Sequence, residues 1–292
     1  MHARPQLRKR RTDRSPEHRV TSYWDRTQWP LQSLLFLLPL LVVYEIGAVV
    51  FAPAGDERLP QIYAERMLGQ FFDWLGVTGY HLPAAAAVAV LLLMHLVRRD
   101  PWHVEPRLYG VMAVESVLLA APLFVFSITI TAPPPEVAAA WGEAAGDRFE
   151  VLGLPELPLL ASTASAATGL DAVGSWRQGV TFAIGAGVYE ELVFRLIVIA
   201  LVHVVLSDLL ALPGAWSAGG AIVISALAFA LYHPFDSHLP WAWSAGDWGR
   251  FSFYTLAGLY FAAIYVYRGF GIVAATHALY DVMVIATHFA GR

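Results

Sequence analysis

The chain has 292 residues, 57% hydrophobic and only 14% charged, with a mean hydropathy of +0.54 and a formal charge of −4. That balance lies outside the range of soluble domains of this length and identifies an integral membrane protein. No cysteine is present, which excludes disulfides, thiolate metal sites and thiol nucleophiles and leaves any catalysis to other side chains.

Eight of the 19 Lys and Arg residues fall between Arg4 and Arg26, in a polar arm ending at Trp29-Pro30. Residues 1–30 read as a basic cytoplasmic arm beside anionic lipid rather than a nucleic-acid contact. The apolar run from Leu31 to Ala52 is longer than a signal-peptide core, and no small-residue cleavage pattern follows it. A retained first span is expected there.

Stretches of spanning length then predict helices at Gly79–Val97, Leu108–Ile130, Gln178–Leu206, Trp216–Tyr232, Phe251–Tyr267 and Gly269–Phe289. Val151–Leu170, apolar in patches but rich in Ala, Ser and Thr, stands open as an eighth span, a re-entrant piece or an interfacial helix. The expected fold is all-α, a polytopic transmembrane helical bundle of seven to eight spans. Residues 31–175 hold the N-terminal helices and an acidic loop, and residues 176–292 hold a separate core rich in intramembrane polar groups. Arg98, Arg99 and Arg107 make one loop basic, whereas Thr131 to Ser175 carries six acids against one Arg. An inside N-terminus with the acidic loop outside satisfies both. Pro133-Pro134-Pro135 reads as a loop, and Trp241, Trp243 and Trp248 as an interfacial aromatic belt, with a ligand cage as the sharper alternative.

Ionisable residues inside apolar helices are functional suspects. Tyr189-Glu190-Glu191-Leu-Val-Phe194-Arg195 lies within the fourth predicted span. Glu191 and Arg195 are four apart with the acid first, the spacing at which carboxylate and guanidinium meet on a helix. Glu190, about 100° away around the axis, cannot share that partner equally. Downstream, Phe229 precedes His233 by one turn, with Pro234 marking the helix exit, and His277 and Asp281 share one face of the last span. Each cluster is ordinary alone. In apolar helices each unpaired polar group costs several kcal/mol, so mutual satisfaction in one buried site is the economical arrangement.

The ordered set Glu190-Glu191-x-x-x-Arg195, Phe229-x-x-x-His233 and His277-x-x-x-Asp281 resembles the CAAX prenyl protease and bacteriocin-processing (CPBP, or Abi) family of intramembrane endopeptidases, over roughly the last two-fifths of the chain. The family's eukaryotic branch removes three terminal residues from prenylated proteins. Its bacterial members include peptide processors, bacteriocin-immunity proteins and non-proteolytic scaffolds. The resemblance implies that Glu190 is the general base and His233 its partner on the attacking water, with His277 and position 281 stabilising the oxyanion. It makes residues 176–292 the catalytic core, with Glu191, Arg195 and Phe229 supporting it. A desolvated carboxylate beside an imidazole suits that chemistry.

The family's commonest pattern has Asn where Asp281 stands. An amide donates to an oxyanion and an ionised Asp does not. Asp281 then either carries a proton or orients His277 as a carboxylate orients a catalytic histidine, the option preferred here. A third reading makes Glu190, His233, His277 and Asp281 a divalent-metal site, zinc for example; no cofactor is the preferred expectation. The expected partners are membrane lipid and a peptide or protein substrate reaching the site from the bilayer, with no nucleic acid. The expected location is a bacterial inner membrane. Rival functions are a non-catalytic scaffold or immunity protein and a proton-coupled transporter.

The remaining intramembrane polar residues take plainer readings. Glu45 and Glu115 are expected to bind helices together, and His95, His203 and His288 to sit near the interface. Tyr189 and Tyr280 are candidates for hydrogen bonds supporting the site, and Gly185 and Gly187 for close helix packing.

Overall fold

The computed structural model describes residues 22–51, 62–131, 175–233, 240 and 243–290. The basic arm up to residue 21, the proline run, the acidic loop with Val151–Leu170, Trp241 and the side chain of His288 lie outside the described residues. Nine helices make up the described chain: α1 Tyr23–Thr27, α2 Pro30–Val50, α3 Tyr63–Trp74, α4 Leu82–Arg98, α5 Pro106–Thr131, α6 Trp176–Leu209, α7 Gly214–Tyr232, α8 Ala245–Arg268 and α9 Phe270–Ala290. No strand occurs among the described residues, so the chain is a membrane helical bundle.

Each of the seven expected spans contains a helix. Five of these, α2, α5, α6, α7 and α9, are long and apolar enough to cross a membrane. α4 is apolar but has 17 residues. α8 has 24 residues and begins with the polar pair Asp247 and Arg250, which form an ion pair. Local chemistry explains several helix starts. Ser22 and Ser244 each close a capping box, with Asp25 and Asp247 respectively. Ser175 caps α6, and Pro30 opens α2 where no helical N–H bond is required.

α1 and α3 were not anticipated. α1 has five residues and α3 twelve, too short to register as spans. α1 is tied to the bundle by Tyr23, which donates to Glu115 of α5, the same carboxylate that pairs with Arg268 at the end of α8. Burial and the Glu115 carboxylate push the Tyr23 phenol up to about 12, so it stays a donor. Glu115 thus joins three helices, as expected. Glu45 does likewise, accepting from Tyr189 of α6 at 2.9 Å and pairing with His81 ahead of α4. His95 departs from its interfacial expectation: it is fully buried, because Trp102 from the following loop folds back edge-on to its ring at 4.4 Å.

α9 is the most enclosed of the five spans, with 67% of its apolar window buried, and it packs against α6, α5, α2 and α8. Its approach to α6 requires Gly187: a Cβ there would lie 2.5 Å from the Ala278 nitrogen and 2.7 Å from the Ala274 carbonyl oxygen. These are backbone atoms, which cannot swing aside. Gly185 similarly admits Tyr44 and Ile62 against α6. Replacing Gly187 with Leu should separate α6 from α9 at a cost of at least about 1–3 kcal/mol. A clearly lowered thermal midpoint in detergent is the expected result, and an unchanged midpoint would contradict this packing.

Candidate active site

α6 supplies two carboxylates and a guanidinium from little more than one turn, all enclosed: Glu190 is 1% exposed, Glu191 and Arg195 0%. The helix widens there, with a π-helical segment at Leu192–Val198 beginning directly after Glu191. Such segments concentrate at functional sites because they displace backbone groups from the α-helical ladder. The Phe194 carbonyl is met by the Ser225 hydroxyl of α7 at 2.6 Å.

Glu191 uses both oxygens. Oε2 lies 2.9 Å from Arg195 Nε within the helix, and Oε1 accepts from His277 Nδ1 of α9 at 2.8 Å. The Arg195 guanidinium sits over the Phe229 ring at 4.3 Å and the Phe261 ring at 5.4 Å, and Nη2 reaches the Gly258 carbonyl at 3.4 Å. The cation is therefore held by one carboxylate, two aromatic faces and a backbone dipole.

Because Glu191 fixes Nδ1 of His277 as a donor, Nε2 points to the other side. There it lies 3.6 Å from Asp281 Oδ2 and 3.9 Å from Glu190 Oε2. Phe261 stacks on the His277 ring at 4.6 Å and fixes its plane. The expectation that Asp281 orients His277 is thus modified: Glu191 occupies the orienting position on Nδ1, and Asp281 shares the Nε2 side with Glu190. Asp281 is the least enclosed of the group, its side chain 15% exposed.

His233 closes α7 as its C-cap, in extended conformation with ψ 149°. Its Nδ1 is 2.7 Å from the Phe229 carbonyl. A carbonyl only accepts, so Nδ1 carries the proton and Nε2 presents a lone pair. Tyr254 of α8 stacks on the ring at 3.7 Å. The Phe229 ring adjoins both imidazoles, 4.7 Å from His233 and 5.9 Å from His277, so one aromatic ring joins the two histidines and Arg195. Glu190 Oε1 accepts from the Tyr232 hydroxyl at 3.3 Å.

Glu190, Glu191, Arg195, Phe229, His277 and Asp281 are thereby linked through contacts from three helices, and His233 adjoins them through Phe229 and Tyr232. Sequence reasoning missed Tyr232, Tyr254 and Phe261. Tyr254 and Phe261 are seven apart, two turns along one face of α8, the signal that would have found them. Tyr189 and Tyr280 do not join the group: Tyr189 turns to Glu45, and Tyr280 packs on Phe253. Among the described residues no three His, Asp or Glu side chains are disposed to hold a metal ion.

Glu191→Ala should cost about 3–5 kcal/mol, because it strands the buried Arg195 cation and frees His277 together. Glu190→Ala strands no countercharge and should move the thermal midpoint far less. Equal losses in the two variants would contradict the division of labour between the two glutamates.

Comparison with curated proteins returns no match, and comparison with solved structures returns none either. Residues 172–283 match the family model described as Type II CAAX prenyl endopeptidase Rce1-like, a segment containing every residue of the site just described. Through residues 172–283 the chain is accordingly similar to the CPBP family of CAAX-type intramembrane proteases.

Proposed function

We propose that the protein hydrolyses a peptide bond of a membrane-associated peptide substrate with a water activated by Glu190. The observation that carries this reading is the state of that carboxylate. It is buried and hydrogen-bonded to a neutral tyrosine, while the only cation of its helix turn, Arg195, is paired with Glu191. His277, the other cationic candidate nearby, is held at 2.8 Å by Glu191 and stands 3.9 Å from Glu190, so the Glu190 carboxylate is free to take a proton.

His233, with Nδ1 committed to the Phe229 carbonyl, offers Nε2 to the same water. Glu190 takes one water proton as the oxygen attacks the substrate carbonyl. The developing oxyanion is met by His277, whose Nε2 side faces away from Glu191. Collapse of the tetrahedral intermediate breaks the C–N bond, and Glu190 returns its proton to the amine that leaves. Stabilisation of the oxyanion by fixed donors in a water-poor setting is worth several kcal/mol in such reactions. Asp281 contributes as a donor in its acid form, at the position an amide would fill.

Substrates approach from the bilayer, and Asp281, the least enclosed member, marks the site's open edge. A prenylated C-terminal peptide is the substrate class suggested by the matched family, and the basic arm of the sequence supports a cytoplasmic N-terminus in a bacterial inner membrane.

Membrane and secreted peptide termini, compared by mass spectrometry in wild-type and Glu190→Ala cells at matched protein levels, test the reading. Termini that vanish in the variant are expected; identical termini would overturn proteolysis through Glu190. For Asp281 the two substitutions diverge. Asp281→Asn should keep cleavage within about threefold, because the amide donates from the same place, while Asp281→Ala should lose about 10² in rate. Equal loss in both would assign Asp281 a role as a charge instead.

A further inference from the structure

Tyr232 is the last residue of α7, directly ahead of His233. Its hydroxyl donates to Glu190 Oε1 at 3.3 Å, and its ring is surrounded by three others. Phe194 of α6 stands edge-on at 5.2 Å, His233 at 5.3 Å, and Tyr63, the first residue of α3, at 5.2 Å. The Ala64 backbone N–H, one of the first-turn donors that α3 cannot bond within itself, approaches the Tyr232 oxygen. That hydroxyl can therefore accept from α3 and donate to Glu190 at once, and the donation to Glu190 is directional. Ile62, immediately ahead of α3, packs where Gly185 lacks a side chain, so the start of α3 is seated on α6 one turn from the glutamates.

We propose that Tyr232 is a positioning residue for Glu190 and that the first turn of α3 holds it in place, so that a helix outside residues 172–283 completes the active site. The proposal rests on the reading of Glu190 as the base. A carboxylate whose nearest ionisable donor, His277 Nε2, stands 3.9 Å away samples several rotamers unless a closer donor fixes it, and Tyr232 is the hydrogen-bond donor that α7 brings to it. Beyond its first turn, α3 exposes Met67, Phe71 and Trp74 along its length. Whatever displaces this helix at the surface displaces the ring that supports Tyr232.

Tyr232→Phe keeps the ring and its aromatic neighbours and removes the hydroxyl, with its bonds to Glu190 and to the first turn of α3. Two readouts are used on the full-length protein in detergent. The infrared carboxyl band of Glu190, identified as the band lost in Glu190→Gln, should move to higher frequency in Tyr232→Phe as the hydrogen bond disappears. On a quenched fluorogenic peptide ending in a farnesylated cysteine and three residues, kcat should fall about tenfold with KM unchanged, the equivalent of one hydrogen bond to a charged group. Tyr63→Ala, on the half-exposed start of α3, should shift the same band and lower kcat in the same way, and Tyr63→Phe should restore both. An unmoved band in Tyr232→Phe overturns the proposal regardless of substrate. A moved band in Tyr232→Phe with none in Tyr63→Ala overturns the part assigned to α3. Cleavage by Glu190→Ala at the wild-type rate would instead sink the base assignment, and with it the catalytic meaning of Tyr232, while leaving the hydrogen bond itself in place.

Discussion

The bidentate use of Glu191 is the constraint around which the core is arranged. One oxygen neutralises Arg195 at 2.9 Å and the other fixes His277 at 2.8 Å, so a single fully buried carboxylate ties the cation of α6 to the imidazole of α9. Buried charges are costly unless each is met by partners of suitable geometry. Here the neighbourhood supplies part of this: the Phe229 and Phe261 faces, the Gly258 carbonyl, and the glycine contact that brings the α6 and α9 backbones close enough for the bridge, while Arg195 Nη1 makes no hydrogen bond among the described residues. Because Glu191 is the partner of Arg195, its neighbour Glu190 has no arginine partner within the helix.

The same arrangement explains why two adjacent glutamates do different things. They differ by 100° around one helix axis, and that rotation separates a face that looks into α8 and α9 from one that looks toward the end of α7. The π-helical turn after Glu191 lets Phe194 meet both Ser225 and the aromatic cluster at Phe229 and Tyr232. Irregular backbone is tolerated at membrane depth when neighbouring helices satisfy what it releases, and Ser225 does so here.

Much of this was legible because apolar helices make polar residues conspicuous. Glu190, Glu191 and Arg195 stood out from their surroundings, and so did the His233 and His277–Asp281 positions. The Glu191–Arg195 pair was readable because both partners lie on one helix at a fixed spacing. The His277–Glu191 bond crosses 86 positions, and no local spacing encodes it. For that reason the orienting role was given to Asp281, the carboxylate nearest in sequence. α3 was missed since a twelve-residue helix carries neither the length nor the apolarity of a span. The burial of His95 was missed for a different reason: proximity to a helix end predicts water only if the next loop does not cover it, and Trp102 does.

The intrahelical pairing of Glu191 with Arg195 also bears on how the protein is made. A lone Arg or Asp at the centre of an inserting helix costs about 2.5–3.5 kcal/mol, and α6 carries three ionisable groups within six residues. Since Arg195 brings its counterion on its own helix, the pair can form as the segment leaves the translocation machinery, before α7, α8 or α9 has been synthesised. The charge that later anchors the histidine of the last helix thus enters the bilayer already neutralised, and the final span arrives at a partner that has been waiting in a stable form.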